Sequence, residues 1–111
     1  MIKTVSIEEI RKLMDSKQDC QIIDVRETAE HESIRIPGAK LVPLSEIDQK
    51  FNLIDKKRST YLHCGVGKRA QKAAEYLSTL GFKELHVVDG GIKAWIEAGY
   101  PVEQGKRENH K

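Results

Sequence analysis

Aromatic residues are scarce in this chain, 5% of 111 positions, and no basic run interleaves with the few that occur. A stacking platform for single-stranded nucleic acid is therefore not expected. Charge of one sign is missing too. Nineteen Lys and Arg face seventeen Asp and Glu, a formal net charge of +2, too little to point to a polyanionic partner. No apolar run approaches the roughly 20 residues that span a bilayer. The opening segment, MIKTVSIEEIRKLMDS, is acidic by Glu8 and lacks the apolar stretch of an export signal. The expectation is a cytoplasmic protein with reduced thiols, no nucleic-acid partner and no membrane partner. Cysteine is limited to Cys20 and Cys64, which make neither a disulfide framework nor a zinc ligand set. His31, His63, His86 and His110 add no ligand spacing, so no metal is expected.

What is present is an ordinary globular balance, 39% hydrophobic and 32% charged. At this length it suits one domain with its own core. Residues 1–104 are read as that domain, and 105–111, GKRENHK, as a polar, disordered tail. Ser6 with Glu9 reads as a capping box, opening a helix on which Ile7, Ile10, Leu13 and Met14 share a face and which stops near Ser16. Gln21 to Val25 reads as a buried strand, and residues 26–39 as a polar loop ending in Ile36-Pro37-Gly38-Ala39. Lys40 to Val42 is a short strand, and Ser45 with Asp48 caps a short helix. Thr60 to His63 is the next strand. A helix from Arg69 to Leu80 follows, with Ala70, Ala73, Ala74, Leu77 and Leu80 on one side and Gly81 as its stop. Leu85 to Val88 is a further strand, broken by Gly90-Gly91. Ile92, Trp95 and Ile96 then mark one helical face, with Trp95 in the core. Strands alternating with helices predict a parallel α/β sheet covered on both faces.

The chemistry concentrates in His63-Cys64-Gly65-Val66-Gly67-Lys68-Arg69. Cys64 falls at the carboxyl end of its strand, where such sheets bind ligands. It also stands just before a helix, whose N-terminus carries partial positive charge and free N–H groups. Gly65 and Gly67 let the backbone curl into an anion-binding nest, and Lys68 and Arg69 add full charge. Surroundings of this kind favour a thiolate over a thiol. The loop reads as an activated sulfur nucleophile beside a bound oxyanion. A buried, inert cysteine next to an ordinary glycine turn is the competing reading. The G-x-x-x-x-G-K-[ST] spacing of a P-loop is absent. Strand alternation turns His63 away from Cys64, so it is not taken as the base. His31 and His86 read as ordinary surface or strand residues. Cys20 begins one strand while Cys64 lies past the end of another, about 15 Å away at 3.3 Å per residue, beyond disulfide reach.

Four segments in this order resemble a single-domain rhodanese, of the sulfurtransferase family. They are Ile22-Ile23-Asp24-Val25-Arg26-Glu27, Ile36-Pro37-Gly38-Ala39, the loop Cys64 to Arg69, and Val87 to Trp95 with Gly99 and Pro101. The likeness covers residues 4–103. It implies a rhodanese-like three-layer fold, a five-stranded parallel sheet with helices on both faces. It implies that Cys64 takes a sulfane sulfur from a small anion such as thiosulfate, or from another persulfide donor. The resulting persulfide is then emptied by cyanide, a thiol or a protein. Gly65, Val66, Gly67, Lys68 and Arg69 would bind substrate and stabilise the persulfide. Asp24 and Arg26 would support the site, a role compatible with a salt bridge closing their strand. No cofactor is implied, and a monomer is the base expectation.

Cys64 to Arg69 counts six residues, the length that suits sulfur in this fold; phosphate and arsenate enzymes carry one more. A persulfide carrier acting with a desulfurase or acceptor protein stays open as an alternative, with a phosphatase or arsenate reductase behind it. Ile34-Arg35 stands where relatives often have Gly-His, and Arg35 is expected to make the rim of the site more basic. Gly65 stands where many relatives carry a larger second loop residue.

Overall fold

The computed structural model describes residues 2–105. The chain runs β1 (Ile2–Val5), α1 (Ile7–Ser16), β2 (Cys20–Asp24), α2 (Thr28–Ser33), β3 (Ile34–Arg35) and β4 (Lys40–Leu41). It continues through α3 (Ile47–Lys50), β5 (Ser59–His63), α4 (Lys68–Thr79), β6 (Leu85–Val88), α5 (Gly91–Glu97) and β7 (Glu103–Gln104), with 3-10 turns flanking α3. Five strands form one parallel sheet in the order β1-β6-β5-β2-β4. From β2 the chain steps outward to β4, then returns to β5 on the other side of β2. The carboxyl ends of β2 and β5 therefore flank the point where the winding reverses, the place where open α/β sheets bind ligands. A separate antiparallel pair joins β3 to β7.

Strand alternation divides the core into two layers. Ile23 and Leu62 face a cluster with Val42, Ile47, Ile54, Ala70, Ala73, Ala74, Leu77 and Phe82, which α3 and α4 cover. Ile22 and Tyr61 face the other side, with Ile7, Ile10, Ile92 and Trp95 of α1 and α5. Each fully buried Leu or Ile contributes about 1.5–3 kcal/mol of apolar burial. The face of α4 toward the sheet is mostly alanine, which lets the helix approach closely and brings its N-terminus to the end of β5. The helix stops in a Schellman motif: Gly81 (φ 90°) donates to the Ser78 carbonyl and Phe82 to that of Leu77. The capping box of α1 forms as read, Glu9 N–H to Ser6 Oγ at 3.1 Å and Ser6 N–H to Glu9 Oε1 at 3.0 Å. Trp95 is fully buried and donates to the Pro101 carbonyl at 2.7 Å.

Several expectations change. The fifth strand is β1, too short and too close to a helix cap to stand out in the sequence. Residues 26–39 are not all loop. They contain α2, begun by a second capping box in which Glu27 N–H donates to Glu30 Oε1 at 2.9 Å. Ser45 caps nothing; its Oγ donates to Glu27 Oε1 at 2.8 Å, and Glu46 precedes α3. Ile96 is exposed rather than sharing the buried face of Trp95. His31 is buried, not a surface residue. Gly105, assigned to the tail, donates to Ser33 O and accepts from Arg35; the remainder of that tail, 106–111, lies outside the described residues.

His63 occupies the α1/α5 side of β5, fully buried, with neither ring nitrogen hydrogen-bonded. Burial pushes its imidazole down to about 4, against the pull of the Asp24 carboxylate. Between pH 6.5 and 4 the unfolded chain therefore binds the extra proton. Stability is full above that window and falls as pH drops through it, by up to about 3 kcal/mol. Asp24 opens a second, lower window. Burial alone would raise its carboxyl, but bonds from Arg26, the nearby His63 and a bond from His31 hold it at about 2. Its contribution is lost as pH falls from about 3.8 through 2. His63→Phe is expected to match the parent within about 1 kcal/mol at pH 7.5, since it removes two unsatisfied nitrogens. Urea unfolding at pH 7.5, 5.5 and 4.5 should show a flat profile for the variant and a falling one for the parent. Parallel profiles would show that His63 is not the titrating group.

Candidate functional site

Cys64 follows the last residue of β5 and is 1% exposed. Its Sγ accepts two backbone hydrogen bonds, from Gly67 at 3.0 Å and from Ala70 at 3.4 Å. Gly67 is the N-cap of α4 and Ala70 lies in its first turn. The sulfur thus takes the place of a capping side chain and uses donors that a helix start leaves free. Gly67 has φ 131°, a conformation that other residues rarely adopt. Sequence reasoning placed the stabilising N–H groups on Gly65 to Arg69. The hydrogen bonds to Sγ come from Gly67 of that run and from Ala70, which the sequence marks as a core residue. This arrangement can hold negative charge on Sγ and on an atom bonded to it.

The Cys64 and Gly65 carbonyls are taken up on the side of α5. Ile92 N–H donates to Cys64 O at 2.9 Å and Lys93 N–H to Gly65 O at 3.2 Å. The first turn of α5 thus takes up the loop's oxygens while α4 supplies N–H groups to Sγ. Gly91 makes the approach possible. A Cβ there would lie 2.3 Å from Cys64 O and 2.7 Å from Gly65 O, and its φ is 54°. In the sequence Gly90-Gly91 reads as a strand break within the Val87–Trp95 segment of the family likeness. The dipeptide was visible, but its contact with the loop depends on how α5 is placed.

Arg69 folds back over the loop, with Nη2 only 3.2 Å from where a Gly65 Cβ would be. A larger residue at position 65 would require the Arg69 guanidinium to shift by a few tenths of an ångström. The Arg69 guanidinium binds both carboxylate oxygens of Glu30, at 2.7 and 3.1 Å. The bond from Arg69 holds Glu30 below the usual carboxylate range, and the same bond raises Arg69. Glu30 was missed in the sequence; only its place three residues after Glu27 marks it as a cap. Val66 and Lys68 are exposed at the loop's apex, and Lys68 has no ion-pair partner among the described residues.

Asp24 and Arg26 make no hydrogen bond to the Cys64 sulfur among the described residues. Asp24 ends β2 beside His63 and is completely buried. It accepts from Arg26 Nε at 3.0 Å, from Arg26 Nη2 at 2.8 Å and from the Arg26 backbone at 3.0 Å, and it meets His31 Nδ1 at 2.8 Å. Arg26 Nη2 also donates to Ile34 O. The cluster fixes α2, and α2 presents Glu30 to Arg69. Arg35 is buried as well and does not enrich the rim. It donates to Gly105 O at 2.6 Å and His31 O at 3.1 Å and pairs with Glu103 at 3.3 Å, tying β3 to β7. Cys20 pairs in register with Ser59 at the opposite end of the sheet, and burial pushes its thiol up. Among the described residues no group of three or more His, Cys, Asp and Glu could hold a metal ion. None of the described helices is long and apolar enough to cross a membrane.

These features are those of a rhodanese-like α/β domain with its cysteine loop complete. The Rhodanese-like domain family matches residues 6–98, and the chain belongs to that family. It is 28% identical over 102 residues to a sulfurtransferase of Allochromatium vinosum, covering 92% of this chain and 95% of that protein. It is 33% identical over 94 residues to YrkF of Bacillus subtilis, named as a candidate sulfur carrier. That match covers 85% of this chain and 51% of YrkF, so the chain spans about half the length of that relative. The crystal structure of a rhodanese-related protein from Thermoplasma volcanium aligns with a TM-score of 0.82 at 30% identity, covering 91% of this chain and 97% of that one. Sulfur transfer, in general, is the chemistry for which these relatives are named.

Two glycines separate crowding from backbone strain. Gly91 and Gly99 both have positive φ, but a Cβ on Gly99 would meet nothing within 4 Å. Gly99→Ala should cost about 1–2 kcal/mol. Gly91→Ala should cost at least about 2 kcal/mol more, because loop or helix must move. Equal losses in urea unfolding would refute the close approach of α5 to the loop.

Proposed function

We propose that the chain is a sulfurtransferase that carries sulfur as a persulfide on Cys64. The observation that carries this reading is the Cys64 sulfur held by the Gly67 and Ala70 N–H groups at the start of α4. In the first half-reaction Sγ attacks the sulfane sulfur of the donor. The new S–S bond forms as the donor's own bond to that sulfur breaks, and the electron pair leaves with sulfite or a thiolate. In the second half an acceptor nucleophile takes the outer sulfur and Cys64 is restored, a ping-pong cycle. The outer sulfur would sit among the loop's N–H groups, with Lys68 and Arg69 offsetting the charge of an anionic donor. The six-residue loop, Cys64 to Arg69, supports sulfur over a phosphate or arsenate. The donor is a small sulfur anion such as thiosulfate or another persulfide. The acceptor is a thiol or a protein, the working form is a monomer, and the setting is the cytoplasm.

A second reading is a persulfide carrier that accepts sulfur from a desulfurase and passes it on. The name of YrkF favours it. It uses the same sulfur atom and differs in how fast thiosulfate is turned over.

Intact mass after incubation with thiosulfate, and again after cyanide, tests the sulfurtransferase reading. One added sulfur, lost with thiocyanate release, absent in Cys64→Ser and retained in Cys20→Ser, is the expected result. If thiosulfate fails, an organic persulfide is offered next. Loading from neither, or loading that survives Cys64→Ser, overturns the assignment. Arg69→Ala should weaken the use of thiosulfate, read as a higher KM.

A further inference from the structure

The charges around the loop are more nearly balanced than the sequence suggests. Arg26 is matched by Asp24, Arg35 by Glu103 and Arg69 by Glu30. Only Lys68 stands at the mouth without an ion-pair partner among the described residues. Arg69 folds over the loop, and it lies within electrostatic reach of Cys64. Its partner is not a chance surface neighbour. Glu30 grips the guanidinium with both oxygens and is itself held by the Glu27 N–H at 2.9 Å. The helix that carries Glu30 is anchored through His31 to buried Asp24. The pair is partly open to solvent, with side chains 36% and 41% exposed, so dissolved ions and salt reach it.

Resting on the sulfurtransferase reading, we propose that Glu30 is a positioning residue that sets donor preference. By neutralising Arg69 it weakens the hold on a dianionic donor such as thiosulfate and leaves the advantage to an organic persulfide. With thiosulfate, the Cys64 thiolate bonds to the outer sulfur, the S–S bond breaks, and its electron pair departs with sulfite, a second multiply charged anion to be offset. With an organic persulfide, R–S–SH, the thiolate takes the outer sulfur with its proton, the S–S bond breaks, and a singly charged thiolate leaves. The balanced mouth suits the second exchange better.

The test is the rate of sulfur loading on Cys64, read by quenched intact mass, in a Cys20→Ser background. Thiosulfate and the persulfide of 2-mercaptoethanol, whose thiolate carries a single charge, are the donors, with Glu30→Gln and Glu30→Asp as variants at low and high salt. Glu30→Gln should raise the thiosulfate-to-persulfide ratio of loading rates about 3–10-fold at low salt, the gain shrinking at high salt. Glu30→Asp should keep the parent's ratio. If the parent loads from persulfide only, thiosulfate loading should emerge in Glu30→Gln. A ratio that is unchanged, falls, or shifts equally at both salt levels overturns the proposal, as does continued absence of thiosulfate loading. If both donors lose rate together, Glu30 is merely structural and the proposal fails. Failure of both donors in the parent would instead remove the sulfurtransferase reading beneath it.

Discussion

Everything at the site depends on one division of labour in the peptide backbone after β5. Each peptide unit has a positive and a negative end, and a nucleophilic sulfur needs the positive ends turned toward it. That orientation exposes the oxygens on the other side, where they must find donors. Here α5 provides them, through Ile92 and Lys93, while α4 starts at the sulfur. Two helices from opposite faces of the sheet thus meet at one short loop. Small residues permit the meeting: alanines on α4 and a glycine at the start of α5.

A second layer of organisation works through side chains. Asp24 is buried at the end of the strand next to that of the cysteine, and it survives burial because it is well bonded. Its partners are Arg26, just before α2, and His31 on α2, and α2 carries Glu30 to the loop. Asp24 is linked to Arg69 through this chain of contacts, with no hydrogen bond of its own to the sulfur among the described residues. Arg35 does comparable work further out, where its guanidinium joins the last strand to β3.

Much of this was legible in the sequence because local rules and global fold agree there. The capping box of α1, the alanine face of α4 with Gly81, and the cysteine at a strand end each follow from neighbours a few residues apart. The family likeness supplied the sheet's fifth strand, which Ile2–Val5 is too short to announce. Other features were hidden for a common reason: they depend on partners distant in sequence. Glu30 meets Arg69 across 39 residues and Arg35 meets Gly105 across 70, so neither pairing leaves a local pattern. His31 looked like a surface residue because α2 is short and polar, and its burial comes from Asp24. Gly91 read as a strand break because a glycine's lack of a Cβ has meaning only once its neighbours in space are known.

Both hydrogen bonds to the Cys64 sulfur come from main-chain amides. Every residue except proline brings the same amide, so substitutions at Val66 and Lys68 leave these donors in place, while Gly67, with φ 131°, is bound to its backbone conformation. The side chains of Val66 and Lys68, pointing outward at its apex, are freed from that task. Reactivity and selectivity are therefore inherited separately. The cradle around the sulfur is written into the path of the chain, while the surface beside it can drift without disturbing the bonds to Sγ.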